Sequence, residues 1–123
     1  MRDFRALKVW EKSHRLVLAA YDATGTFPRE EIYGLTAQQR RSCASIPANI
    51  AEGCGRSGEA ELGRFMLIAM GSAIELEYHL FLARDLGYLG ARDYQKLSQE
   101  AEEVKRMLST LITKVRPANN LTS

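Results

Sequence analysis

A proline near the middle of a run that otherwise reads as helix constrains this chain more than any other residue. Leu35-Thr36-Ala37-Gln38-Gln39-Arg40-Arg41 opens like a helix, with Thr36 as N-cap and Gln39 three residues on. The run continues through Ser45-Ile46-Pro47-Ala48-Asn49-Ile50-Ala51-Glu52-Gly53 to Cys54. Pro47 deletes one backbone hydrogen bond and leaves the Cys43 carbonyl without its partner, at a cost of about 3 kcal/mol in a helix interior. Packing must offset that cost, so the sequence predicts a helix kinked at Pro47 and wrapped against its neighbours.

Three further helices follow from apolar spacing and breakers. The first is expected over Phe4 to Ala23, with Leu7, Trp10, His14, Val17 and Tyr21 as its inward stripe and Arg5, Lys8, Lys12 and Arg15 along an adjacent face. Thr24-Gly25-Thr26-Phe27-Pro28 ends it. The proline-containing helix is expected over Thr36 to Cys54, with Cys43, Ile46, Ile50 and Cys54 as a narrow seam. Ser57 or Gly58 caps the third, Glu59 to Leu86, and Gly87 closes it. The fourth, Ala91 to Val115, carries the cleanest heptad: Tyr94, Leu97, Ala101, Val104, Leu108, Leu111 and Val115. Short connections between four such rods predict an all-α, antiparallel up-down-up-down four-helix bundle over residues 1–116, with a frayed tail over 117–123.

The third helix is apolar over more than one stripe. Leu62, Phe65, Met66, Ala69, Ala73, Leu76 and Leu80 fill one side, leaving Leu67, Ile68, Met70, Ile74 and Phe81 elsewhere on the rod. One bundle interior cannot cover both sets, so the second set predicts an oligomer interface.

Composition narrows the functional classes. At 123 residues and 13.8 kDa, with 46% hydrophobic and 26% charged residues, the chain has one domain's worth of core. The longest uncharged stretch, Phe65 to Ile74, is about half a membrane span, and no apolar segment follows Met1-Arg2-Asp3-Phe4-Arg5. The cytoplasm is the expected compartment, with no membrane partner. Cys43 and Cys54 would stand roughly 16 Å apart along a helix, beyond the reach of a disulfide, and predict free thiols and no zinc site. The net charge is +2, but residues through Gly58 hold nine Lys and Arg against six Asp and Glu. That excess on the first two helices points to an anionic partner.

SIPANIAEG with Gly53-Cys54-Gly55-Arg56, read together with Phe27-Pro28, Tyr33-Gly34-Leu35 and Gly71-Ser72-Ala73-Ile74-Glu75-Leu76-Glu77, resembles the four-helix-bundle proteins encoded by intervening sequences of 23S ribosomal RNA genes. It is similar, less closely, to the accessory variability determinant of diversity-generating retroelements. The resemblance spans about residues 4 to 116 and implies a bundle, a homopentamer and a nucleic-acid role. By the second likeness it also implies a nucleic-acid enzyme such as a reverse transcriptase as partner. The chain departs from the family pattern at Gln39, where an apolar residue is usual, and at Cys54, where an aromatic is often found.

Catalytic chemistry is thin. A di-iron bundle uses Glu-x-x-His on two helices, and only Glu11-Lys12-Ser13-His14 fits that spacing. Glu75 and His79 stand one turn apart, a spacing more often structural than catalytic. There is no P-loop, dinucleotide-binding glycine pattern or nucleophile elbow. No catalytic residue, metal or cofactor is expected. Binding is better supplied: Arg40, Arg41, Arg56, Arg64 and the Arg5, Lys8, Lys12, Arg15 stripe offer donors for phosphate oxygens of RNA or DNA. Repetition in an oligomer would concentrate them. The sequence therefore predicts a non-catalytic oligomeric scaffold that holds nucleic acid, with a protein-only assembly module as the alternative.

Overall fold

The computed structural model describes residues 2–115. Four long helices, α1 (Lys8–Thr24), α2 (Leu35–Gly55), α3 (Glu59–Asp85) and α4 (Ala91–Val115), form an all-α fold with no strand among the described residues. Short 3₁₀ turns at Phe4–Ala6 and Arg29–Glu31 precede α1 and α2. The tail expected at 117–123 lies outside the described residues. Cross-helix partners pair rising numbers with falling ones: Arg41 with Glu75, Ser45 with Ser72 and Gly53 with Phe65 between α2 and α3. Lys105 with Glu77 and Val115 with Gly63 do the same between α4 and α3.

Burial follows the expected seams on three helices. Cys43, Ile46, Ile50 and Cys54 of α2 are buried, as are Leu62, Phe65, Met66, Ala69, Ala73, Leu76 and Leu80 of α3. On α4, Leu97, Ala101, Val104, Leu108 and Val115 are buried together with Ile112, while Tyr94 and Leu111 pack from the flank. Both thiols are free and buried. Burial, with the Glu100 charge adding, pushes the Cys43 thiol up to about 12, which keeps it protonated.

On α1 the expected seam is rotated by one residue. Val9, Ser13, Leu16, Ala20 and Thr24 face the core, whereas His14 and Tyr21 are exposed and Leu7, Trp10 and Val17 lie on the flank. Small residues inward let α1 approach closely, and their hydroxyls are satisfied locally. Ser13 Oγ donates to the Trp10 carbonyl at 2.9 Å and Thr24 Oγ1 to the Ala20 carbonyl at 2.9 Å. His14 stacks outside on Trp10, ring centroids 5.1 Å apart. The helix also starts later than expected, because Leu7 is extended (φ −85°, ψ 127°) and separates it from the Phe4–Ala6 turn.

The start of α2 differs too. Gly34, not Thr36, is the N-cap, and the acceptor comes from outside the helix: Glu31 Oε1 takes the Leu35 N–H at 3.0 Å. Gln39 therefore caps nothing. Its side chain is buried.

α2 continues as helix through Pro47, which is itself buried. The turn around it is tied twice. Asn49 Nδ2 donates to the Ser45 carbonyl at 2.8 Å and to Ser45 Oγ at 2.9 Å, and Ser45 Oγ lies 2.8 Å from Ser72 Oγ on α3. The Ser45 and Asn49 of the SIPAN motif thus bind the proline turn to the adjacent helix.

Further along the same contact, a Cβ on Gly53 would stand 2.8 Å from Phe65 Cβ, an atom the α3 backbone holds in place. Overpacking costs about 1–3 kcal/mol, against a gain of about 1 kcal/mol in helix propensity from Gly to Ala. Gly53→Ala should therefore lower stability in urea unfolding, and Gly53→Val should lower it further.

Candidate functional site

The outward face of α3 gathers exposed apolar side chains along one helix. Leu67, Gly71, Ile74, Tyr78 and Phe81 recur at steps of four, three, four and three, the seam of a heptad, with Ile68 beside them. Leu67, Ile68 and Phe81 are exposed, Ile74 at 53% and Tyr78 at 60%. Nothing lies within 4 Å of a Cβ built on Gly71. A glycine in mid-helix costs about 1 kcal/mol relative to alanine, and here no neighbour among the described residues requires it. Of the five expected interface residues, four share this face. Met70 does not; it is half-buried and packs against the core. Tyr78 was missed, although its heptad place between Ile74 and Phe81 was the available signal.

By length and composition alone, α3 is also long and apolar enough to cross a membrane, with Glu75 and Glu77 the first charges beyond the uncharged run. Its other flank lines the bundle core, and those glutamates are ion-paired: Glu75 with Arg41 and Glu77 with Lys105.

The expected basic surface is dispersed and largely neutralised. Arg41 Nη2 donates to Glu75 at 2.9 Å, Arg56 to Glu52 at 2.8 Å and Arg64 Nε to Glu61 at 2.9 Å. Arg5 pairs with Asp3, Lys12 with Glu103 and Arg15 with Glu11. Arg64 holds the Glu61 carboxyl below the ordinary glutamate value through its hydrogen bond, and Lys12 does the same to Glu103. Arg40 turns toward α1, donating to Thr24 Oγ1 at 2.7 Å and lying over the Tyr21 ring, whereas Arg41 turns toward α3. Only Arg56 and Arg64 converge, both over Phe65. Arg5 belongs to the 3₁₀ turn ahead of Leu7, so the four-cation stripe is not one helix face. Lys8 has no carboxylate partner among the described residues.

A buried polar cluster joins α2 to α3. His79 is 4% exposed; its Nδ1 lies 2.9 Å from Ser42 Oγ, which is itself wholly buried. Its Nε2 stands 3.7 Å from Glu75 Oε2, and Arg41 closes the far side of that carboxylate. Serine, histidine and glutamate thus lie in line. The hydroxyl is sealed in the core, however, and presents no surface to a substrate. Burial holds the His79 pKa below its ordinary value, opposed by Glu75 and reinforced by Arg41. One turn before Ser42, Gln39 is 0% exposed, and neither its Oε1 nor its Nε2 has a hydrogen-bond partner among the described residues. No group of three or more His, Cys, Asp or Glu among the described residues is placed to hold a metal.

The family described as 23S rRNA-intervening sequence protein matches residues 5–110. Among solved structures, a protein of unknown function from the S23 ribosomal protein family of Bacteroides thetaiotaomicron VPI-5482 is similar at TM-score 0.79 and 26% identity, covering 85% of this chain and 97% of that one. No curated protein matches.

Two measurements probe the polar cluster. An unpaired buried amide costs about 1–3 kcal/mol, so Gln39→Leu should raise stability in urea by an amount of that order. His79 takes up a proton more readily unfolded than folded, so its contribution is fully present above the ordinary histidine value of 6.5 and is lost as pH falls from there toward the lowered folded value. The stability of the wild type should fall across that window more steeply than that of His79→Gln, by at most about 1.4 kcal/mol per pH unit.

Proposed function

The chain belongs to the 23S rRNA-intervening sequence protein family, and from that premise we propose that it is a non-catalytic assembly module whose copies join through the outer face of α3. The exposed Leu67, Ile68, Ile74, Tyr78 and Phe81 stripe carries this reading. Large apolar residues at heptad steps, around a glycine that leaves room for close approach, are what a helix presents to another helix. Five copies is the number that the family resemblance implies, and the cytoplasm is the compartment it fits.

Contact with RNA or DNA through Arg5, Lys8, Lys12, Arg15, Arg40, Arg41, Arg56 and Arg64 is the weaker reading. Six of the eight already hold a carboxylate of the same chain, and a phosphate would have to displace it. The module acts first on protein, whatever enzyme or nucleic acid it then gathers.

Sedimentation equilibrium decides the matter. The wild type should sediment as a multiple of 13.8 kDa, and Ile74→Glu with Tyr78→Glu should reduce it to one copy with unchanged helical content and a melting temperature that no longer depends on concentration. A wild type that remains a single copy at high concentration refutes the proposal. RNA retained by the double variant, and released steeply by added salt, would restore the phosphate reading.

A further inference from the structure

We propose that the groove between the start of α1 and the last turns of α4 is a second docking surface, shaped for an acidic amphipathic helix of a partner protein. Leu7, Val9, Met107 and Leu111 form its apolar floor, and Lys8, Thr110 and Lys114 stand on its rim, around a space of about 330 Å³. That volume lies near the low end of the 300–1,000 Å³ typical of small-molecule pockets, and the groove is open along one side. Such a space receives protruding side chains better than an enclosed ligand. A helix laying leucine-sized anchors into a hydrophobic groove uses this kind of surface, and a methionine in the floor adapts to their shape.

Charge selects the partner. Arg2, Arg5, Lys12, Arg15, Arg41, Arg56, Arg64, Arg84 and Lys105 each hold a carboxylate of the chain. Seven described cations hold none, Lys8, Arg29, Arg40, Arg92, Lys96, Arg106 and Lys114, and of these Lys8 and Lys114 stand together on the rim of this one apolar groove. Two uncompensated ammonium groups flanking an apolar floor match carboxylates flanking an apolar stripe. Anionic lipid is recognised by clusters of about four to eight basic residues, and single-stranded nucleic acid by aromatic platforms; the groove has neither. The surface is distinct from the α3 face, so either can fail without the other.

The test uses a fluorescent helical peptide with leucines at i, i+3, i+4 and i+7 flanked by glutamates, beside matched peptides carrying glutamine or lysine in place of glutamate. At low salt the glutamate peptide should bind about tenfold tighter than the glutamine peptide, with the lysine peptide weakest. Lys8→Glu with Lys114→Glu, both exposed and remote from the core, should invert that order. Thr110→Tyr, which fills the groove from its rim, should weaken all three. Equal binding of the peptides, no saturable binding, or an order unmoved by the double charge reversal overturns the proposal. So does capture by phosphatidylserine vesicles, but not by the glutamate peptide, with the same dependence on the two lysines.

Discussion

A helix in a four-helix bundle can turn one flank inward, and α3 has two flanks that water disfavours. The inner one is spent on the core: Leu62, Met66, Ala69, Ala73, Leu76 and Leu80 are buried. The outer one, from Leu67 to Phe81, is packed against no other helix among the described residues and leaves Leu67, Ile68, Ile74, Tyr78 and Phe81 exposed. Contiguous exposure of this kind is uncommon on a lone soluble surface, and the proposed assembly rests on it. The other helices sharpen the contrast. α4 carries one apolar stripe with charged residues such as Glu102 and Arg106 outward, and α1 turns small residues inward and long charged ones out.

Electrostatics reinforce the same division. Nearly all the guanidinium groups expected to reach for phosphate are held by carboxylates one turn away or on the facing helix. Exposed pairs of this sort add little to stability, but they remove positive potential from the surface. Seven described cations keep no carboxylate, and they count most where two of them share an apolar border. The α1–α4 groove is such a place, since its two lysines border apolar rather than acidic neighbours.

The sequence disclosed most of the fold and part of the site. α4 begins and ends where the heptad and its breakers place it, and α2 and α3 agree within a residue at each end. Long periodic patterns are robust because many side chains vote for one phase. α1 misled because its inward residues include Ser13 and Thr24, whose polarity hides their burial until their backbone bonds are known. The bulky Trp10 and Tyr21 drew the phase to the wrong face. The α2 cap was illegible for a related reason: Glu31, four residues before Leu35, supplies the acceptor from a preceding turn. The outward face of α3 was legible as surplus apolar residues, although Tyr78 passed unnoticed because its hydroxyl reads as polar. The arginines are legible in the sequence as residues, but their carboxylate partners are not, since pairing depends on which helices lie side by side.

α2 breaks two local rules, and the structure treats them differently. Pro47 removes a backbone bond, and the residues around it respond: Asn49 binds Ser45, and Ser45 reaches Ser72 on α3. That irregularity is compensated by contacts which also fix how α2 and α3 lie together, so the motif reads as structural. Gln39 buries an amide that no polar group answers among the described residues. A polar side chain fills this core position, three residues from the Ser42 hydroxyl that meets His79. Natural chains sit only a few kcal/mol above unfolding, so an amide left unanswered in the core takes up a large share of that margin. The α2–α3 contact is therefore held by the apolar seam and the serine bridge, and it carries Gln39 as a burden.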